Sequence, residues 1–132
     1  MSTLRTSPFL RFALILDAIV SGASALLMVT MSSQLAGLLH LPAALLFYAG
    51  VFLVPYAGLL AYLSRRETLP RWTIWTLVVG NVMWAADCVL LALSDWVAPS
   101  VLGYVFIATQ AIAVVAFAEL QYVGMRRSAV AA

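Results

Sequence analysis

Four long apolar segments, separated by short connections, constrain this chain more than any other feature. They cover about residues 9–31, 43–64, 72–94 and 99–123. A helix needs about 20 apolar residues to cross the hydrocarbon core of a bilayer, so each segment is long enough for one crossing. Charged residues make up 9% of the chain, whereas soluble domains carry about 25%. The sequence therefore predicts an all-α fold, a four-transmembrane-helix up-down-up-down bundle that forms a single integral membrane domain over residues 1–132.

A secretory signal peptide is the alternative interpretation of the first segment, because the small residues SGASA follow its apolar start. The apolar run is longer than the apolar region of a signal peptide, and it contains Asp17. We therefore expect an uncleaved membrane span.

The basic residues indicate how the bundle is oriented in the membrane. All seven are arginines, and they flank the apolar segments: Arg5, Arg11, Arg65, Arg66, Arg71, Arg126 and Arg127. With four spans, every one of them falls on the same side of the bilayer. Cytoplasmic loops carry an excess of Lys and Arg. The pattern predicts a multi-pass protein of a bacterial cytoplasmic (inner) membrane, with both termini in the cytoplasm.

The chain lacks the residues that several classes of function need. The basic clusters are short and separated by apolar segments, so we expect no nucleic-acid partner. His40 is the only histidine and Cys88 the only cysteine, which leaves paired metal or haem ligation within the chain unsupported. No HExxH, CxxC, GxSxG or glycine-rich phosphate-binding motif occurs. We therefore expect no cofactor, no metal and no catalytic residue.

Polar side chains inside the apolar segments predict a site in the half of the membrane next to the arginines. At a rise of about 1.5 Å per residue, each helix places one polar group at a similar depth. The candidate polar or proton site comprises Asp17, Ser21, Tyr56, Asn81 and Glu119. A carboxylate at the centre of a lipid-facing helix costs roughly 2.5–3.5 kcal/mol. The face that carries the first acid should therefore point at other protein.

A second candidate site lies in the opposite half of the membrane, where Asp87 has Tyr48 and Tyr104 at similar depth. Gln110 and Glu119 are on opposite faces of the fourth helix, since nine positions correspond to about 180° at 100° per residue. Either Gln110 faces a second copy of the chain, or this helix has protein on both sides. Besides the lipid bilayer, the partners we expect are a second copy or another membrane protein.

The buried acids have a functional and a structural interpretation. They could bind protons, a cation or a polar ligand, as is usual for ionisable residues inside a membrane. They could also only hydrogen-bond to neighbouring polar groups and fix the packing of the helices. Arg11 near Asp17, and Arg126 on the same face as Glu119, are candidate ion-pair partners.

Four short patterns carry a resemblance to known proteins: Leu16-Asp17-Ala18, Val54-Pro55-Tyr56, Asn81-x-x-Trp84-x-x-Asp87 and Glu119-Leu-Gln-Tyr122-Val-Gly124. On these patterns, nearly the whole chain resembles small four-helix integral membrane proteins of bacteria that have no assigned activity. The architecture is also similar to that of the small multidrug resistance exporters, which have an acid in helix one, where Asp17 stands. That family uses glutamate there and has no counterpart of Asp87 or Glu119. The second resemblance therefore implies architecture only.

Three classes of function remain open. We favour a non-catalytic accessory or assembly subunit with a buried polar layer, for which a dry bundle is expected. The alternative is a proton-coupled small-molecule transporter or channel, which needs a hydrated cavity reaching Asp17 or Glu119. The third is a membrane enzyme acting on a lipid or quinone-like substrate, which needs an opening towards lipid beside at least two acids.

Overall fold

The computed structural model describes residues 3–128 and residue 130. Two short strands and five helices follow one another along this part of the chain: β1 (Thr3–Arg5), α1 (Pro8–Thr30), α2 (Ser32–Leu39), α3 (Ala43–Ser64), β2 (Thr68–Pro70), α4 (Arg71–Leu93) and α5 (Val101–Arg127). The helices α1, α3, α4 and α5 are each long and apolar enough to cross a membrane. The predicted all-α four-helix fold is confirmed, and the four candidate spans make this a multi-pass membrane protein.

Local sequence explains where the long helices begin. The Ser7 side chain accepts a hydrogen bond from the backbone N–H of Leu10 and caps α1, with proline in the first turn. Ser100 caps α5 in the same way through Gly103. The end of α5 differs from the prediction, because the helix passes residue 123 and continues to Arg127. Gly124 is therefore a buried position inside this helix.

The four long helices form two pairs with a gap between them. α1 packs along α3, α4 packs along α5, and contacts between α1 and α5 join the two pairs. Gly50 of α3 lets α1 pack closely against α3, since a Cβ atom added at this glycine would lie 2.9 Å from Met28 Cβ. Small residues let helix backbones approach closely inside membranes. α3 and α4 make few contacts with each other, so the bundle is loosely closed on that side.

A small antiparallel sheet covers the end of the bundle that carries the arginines. β1 pairs with β2, and Leu4 lies opposite Leu69, with both side chains buried. Arg11 donates a hydrogen bond to the backbone carbonyl of Arg66. These contacts bring the start of α1 to the connection between α3 and α4. The charged connection thus contains a strand that the hydropathy pattern does not predict.

The short helix α2 covers the opposite end. His40, at the end of α2, has a left-handed backbone conformation with φ 53° and ψ 44°. Ser100 donates from its backbone N–H to the Leu39 carbonyl at 3.1 Å and from its hydroxyl to the Leu38 carbonyl at 2.7 Å. Because helix ends leave carbonyl groups without intrahelical partners, these bonds attach α2 to the start of α5.

Two apolar clusters fill the interior, one near each end. The first includes Leu10 and Leu60 at the arginine-bearing end, and the second includes Met28 and Ile107 at the other end. Tyr56 packs against both clusters. A layer of polar side chains therefore lies between two apolar layers.

Candidate functional site

Asp17 is the centre of the buried polar layer, and its side chain is only 1% exposed. Ser21, one helical turn further along α1, donates its hydroxyl hydrogen to Asp17 Oδ1 at 2.9 Å. The other carboxyl oxygen, Oδ2, accepts from Gln121 Nε2 of α5 at 2.6 Å. It also lies 3.2 Å from the hydroxyl oxygen of Tyr56 in α3. Both carboxyl oxygens thus have uncharged partners.

Asn81 of α4 closes these contacts into a ring. Its amide nitrogen Nδ2 donates to Gln121 Oε1 at 3.1 Å. Its carbonyl oxygen Oδ1 lies 3.2 Å from the Tyr56 hydroxyl oxygen. Each of the four long helices therefore contributes one member of the Asp17 ring, which consists of Asp17, Tyr56, Asn81 and Gln121.

The number of hydrogens in the ring limits what it can do chemically. The Tyr56 hydroxyl has one hydrogen but lies between two oxygens, Asp17 Oδ2 and Asn81 Oδ1. With an ionised carboxylate, one of these two contacts contains no hydrogen. With a proton on Asp17 Oδ2, the acid donates to the tyrosine, which donates to the asparagine, and every contact is a hydrogen bond. The ring therefore has a place for one proton, and its fully bonded form is uncharged.

The structure brings Asp17, Ser21, Tyr56 and Asn81 together but leaves out Glu119. Glu119 is exposed on α5, and no described residue forms a hydrogen bond or an ion pair with it. Gln121 occupies the position expected for the glutamate. The two residues are about 200° apart around the helix, so only one of them can face the bundle.

A pattern in α5 could have identified Gln121 from the sequence. Gln110, Phe117, Gln121 and Gly124 are spaced so that they share one face of a helix. This stripe contains two amides and a glycine, which are typical of helix contacts inside membranes. The prediction of Glu119 compared its face with that of Gln110 and did not consider Gln121, which shares the face of Gln110.

Neither of the ion pairs suggested for the acids is formed. Arg11 instead donates to the Arg66 carbonyl, and Arg126 donates to the hydroxyl of Tyr122 at 3.0 Å. Arg11 lies about 9 Å along the helix from Asp17, in the layer of the small sheet. Tyr122 is closer to Arg126 along the helix than Glu119 is.

The second candidate site does not assemble as predicted. Tyr48 and Tyr104 are 69% and 48% exposed, and neither borders the space beside Asp87. Asp87 borders the same space as Trp84 and Gln110, which are joined by a hydrogen bond of 3.0 Å from Trp84 Nε1 to Gln110 Oε1. Gln110 therefore faces the interior of the bundle.

A cavity of about 490 Å³ occupies the space between the two helix pairs, and we call it the inter-pair cavity. Its polar wall includes three neighbours of Asp17 and one acid nearer the end of the bundle that lacks arginines: Ser21, Tyr56, Asn81 and Asp87. Its apolar wall includes Phe52, which stacks on Trp84 across the gap between α3 and α4 with ring centroids 6.0 Å apart. Small-molecule sites in proteins occupy about 300–1,000 Å³ and combine apolar walls with a few polar groups.

A second cavity, of about 470 Å³, adjoins the first, and we call it the end cavity. The two cavities share four wall residues: Trp84, Asp87, Phe106 and Gln110. The end cavity continues to Ser94 and Trp96, beyond the last residue of α4. The shared residues therefore stand between the centre of the bundle and the end that lacks arginines.

The chemical resources of these cavities are hydrogen-bonding groups, aromatic rings and one carboxylate. Within residues 3–128 and 130, no group of three His, Cys, Asp or Glu side chains could hold a metal ion. Cys88 has a free thiol and borders the end cavity. Comparison of the chain with protein-family models, with curated proteins and with solved structures found no match.

Proposed function

We propose that this chain is a non-catalytic membrane protein that binds a small amphipathic molecule from the bilayer. The observation that supports this function is the inter-pair cavity of about 490 Å³, with its aromatic and polar wall. A membrane protein whose polar layer only fixed its own packing would have no need of such a space. The cavity therefore favours a ligand-binding role over a purely structural one.

The position of the cavity suggests how a ligand enters. α3 and α4 make few contacts with each other, and the stacked rings of Phe52 and Trp84 bridge part of the gap. A molecule dissolved in the bilayer could pass between these helices without entering water. Its apolar part would contact the rings, and its polar part would reach the amide of Asn81 or Gln110.

The geometry gives less support to the two other function classes. A transporter using Asp17 and Glu119 needs these acids to act on one path, but the first is buried in the ring and the second is exposed on the other side of α5. An enzyme with acid–base chemistry needs two acids beside its substrate. Only Asp87 among the described acids borders the cavities.

We also propose the orientation and location of the protein. The arginines flank the ends of the helices that the β1–β2 sheet brings together. Since positively charged loops remain in the cytoplasm, this end faces the cytoplasm of a bacterial inner membrane, with both termini there. The end cavity then lies towards the side of the membrane that faces away from the cytoplasm.

A pair of matched glycine variants tests the ligand-binding function. Gly80 borders the inter-pair cavity, Gly58 borders neither cavity, and a Cβ atom added at either position meets no atom within 4 Å. Gly80→Leu should therefore fill the cavity without disturbing the helix contacts, whereas Gly58→Leu should leave it open. The probe is a neutral hydroxymethyl-phenyl-trifluoromethyldiazirine, which is photoactivated with the protein in lipid nanodiscs.

Mass spectrometry would locate the residues that the probe labels. We expect labelling at Phe52 and Phe106 in the unmodified protein and in Gly58→Leu, and its loss in Gly80→Leu. Labelling at Leu93, which is 78% exposed on the bundle surface, should be the same in all three proteins. Equal labelling of the cavity residues in both variants, or none in the unmodified protein, would contradict the proposal.

A further inference from the structure

We infer that the ligand of the inter-pair cavity is a lipophilic cation, and that Asp87 is its charge partner. The cation would be an amine or a quaternary ammonium group on an aromatic or alkyl body. This inference rests on the proposed function, because it names the chemical class of the molecule that the same cavity binds.

Asp87 has no hydrogen-bonding or ion-pairing partner within residues 3–128 and 130. It is exposed to both cavities, and no described residue forms a hydrogen bond or an ion pair with it. Asp17 differs in this respect, because three side chains donate to its carboxyl group or lie within hydrogen-bond distance of it. The structure therefore satisfies one intramembrane acid internally and leaves the other open to whatever fills the cavities.

The charges around the cavities favour a cation over an anion or a neutral molecule. No arginine borders either cavity. Asp87 lies inside an apolar helix, about 9 Å along it from Leu93 at a rise of 1.5 Å per residue. An ionised carboxylate in such a segment is costly, and a bound positive charge offsets that cost. An anion at the same place would be repelled.

The aromatic residues beside Asp87 are suited to a cation. Trp84 is three positions before it in α4, so both side chains lie on the same face of the helix. The Trp84 indole N–H donates to Gln110, and this bond holds the ring in place. Cations bind over the faces of aromatic rings, most strongly over tryptophan. Phe106 adds a further ring that both cavities share.

The arrangement of the two cavities matches an elongated amphipathic molecule. The charged group would lie at Asp87, which borders both cavities. The apolar body would extend towards Phe52 in the inter-pair cavity. The end cavity, which reaches Ser94 and Trp96, would give the charged group a route from the membrane surface.

The first experiment compares two competitors that differ only in charge. Benzyltrimethylammonium and neopentylbenzene have the same shape, because a carbon atom in the second replaces the nitrogen of the first. Each would be added before photolabelling with the neutral diazirine described above. We expect the cation to protect Phe52 and Phe106 at a concentration about tenfold lower than the neutral compound needs. Equal protection by both compounds would overturn this inference and leave the ligand-binding function standing.

The second experiment removes the charge from Asp87. In Asp87→Asn, the advantage of the cation should disappear, while protection by neopentylbenzene should be unchanged. Asp87→Glu should restore the advantage, because it keeps the carboxylate. Glu119→Gln is the matched control, since it neutralises an acid that lies outside both cavities, and it should have no effect. If Asp87→Asn retains the preference for the cation, Asp87 is not the charge partner.

Discussion

Gln121 Nε2 donates a hydrogen bond of 2.6 Å to Asp17 Oδ2, which joins two residues that are 104 positions apart in the chain. The bond connects α1 to α5, and these two helices join the two pairs of the bundle. The other end of the same amide accepts from Asn81 of α4. One glutamine side chain thus links three of the four membrane spans.

Removing this amide should destabilise the bundle. Gln121→Ala would remove one hydrogen-bond donor from Asp17 Oδ2 and leave the amide nitrogen of Asn81 without an acceptor in a buried layer. We expect the free energy of unfolding in bicelles to fall by about 1–3 kcal/mol. The control is Glu119→Ala, which removes an exposed side chain from the same helix and should change that free energy by less than about 0.5 kcal/mol. Equal losses in the two variants would mean that the ring does not join the helices.

Two substitutions at Asp17, both uncharged, should show how much its hydrogen bonds stabilise the bundle. Asp17→Asn keeps an oxygen that can accept from Gln121 and Tyr56, and its amide can donate to Ser21. Asp17→Ala removes all of these contacts. We expect the alanine variant to be less stable than the asparagine variant by about 1–3 kcal/mol, measured by unfolding in bicelles. A reversed order would contradict the stabilising role of these hydrogen bonds.

Gly124→Ala should weaken the contact between α1 and α5. A Cβ atom added at Gly124 would lie 2.8 Å from Leu10 Cα, and a backbone atom cannot move aside as a flexible side chain can. We expect a loss of about 1–3 kcal/mol in the free energy of unfolding. Gly58→Ala is the matched control, because its Cβ atom would meet no atom within 4 Å and alanine favours helix by up to about 1 kcal/mol. Equal effects would contradict the close approach of the helices.

The proposed orientation predicts which end of the bundle is accessible from outside the cell. Ser33 in α2 and Glu67 in the arginine-bearing connection are both exposed and lie at opposite ends. In a Cys88→Ala background, a membrane-impermeant maleimide added to spheroplasts should label Ser33→Cys and not Glu67→Cys. After lysis, both should react. The opposite labelling pattern would place the arginines outside the cytoplasm.

The residues of the Asp17 ring show how much of the site could be predicted from the sequence. Asp17 and Ser21 lie one turn apart, so they share a face wherever the helix packs. Tyr56 and Asn81 could be predicted from their depth in the membrane, because each is the polar group of its helix at the level of Asp17. Gln121 was missed because depth alone also admits Glu119, and the choice between them is a matter of helix rotation.

Sequence alone determined the four candidate membrane spans and the need for Asp17 to face protein, and it predicts a common side for the arginines. These properties depend on the hydropathy of continuous segments and on the cost of placing a charge in lipid. Tertiary structure decided the rotation of α5, the sheet at the arginine-bearing end and the gap between α3 and α4. In a membrane, lipid is as apolar as the protein core, so hydrophobicity does not mark the inner face of a helix. That face is set by contacts between distant residues, such as Gly124 against Leu10.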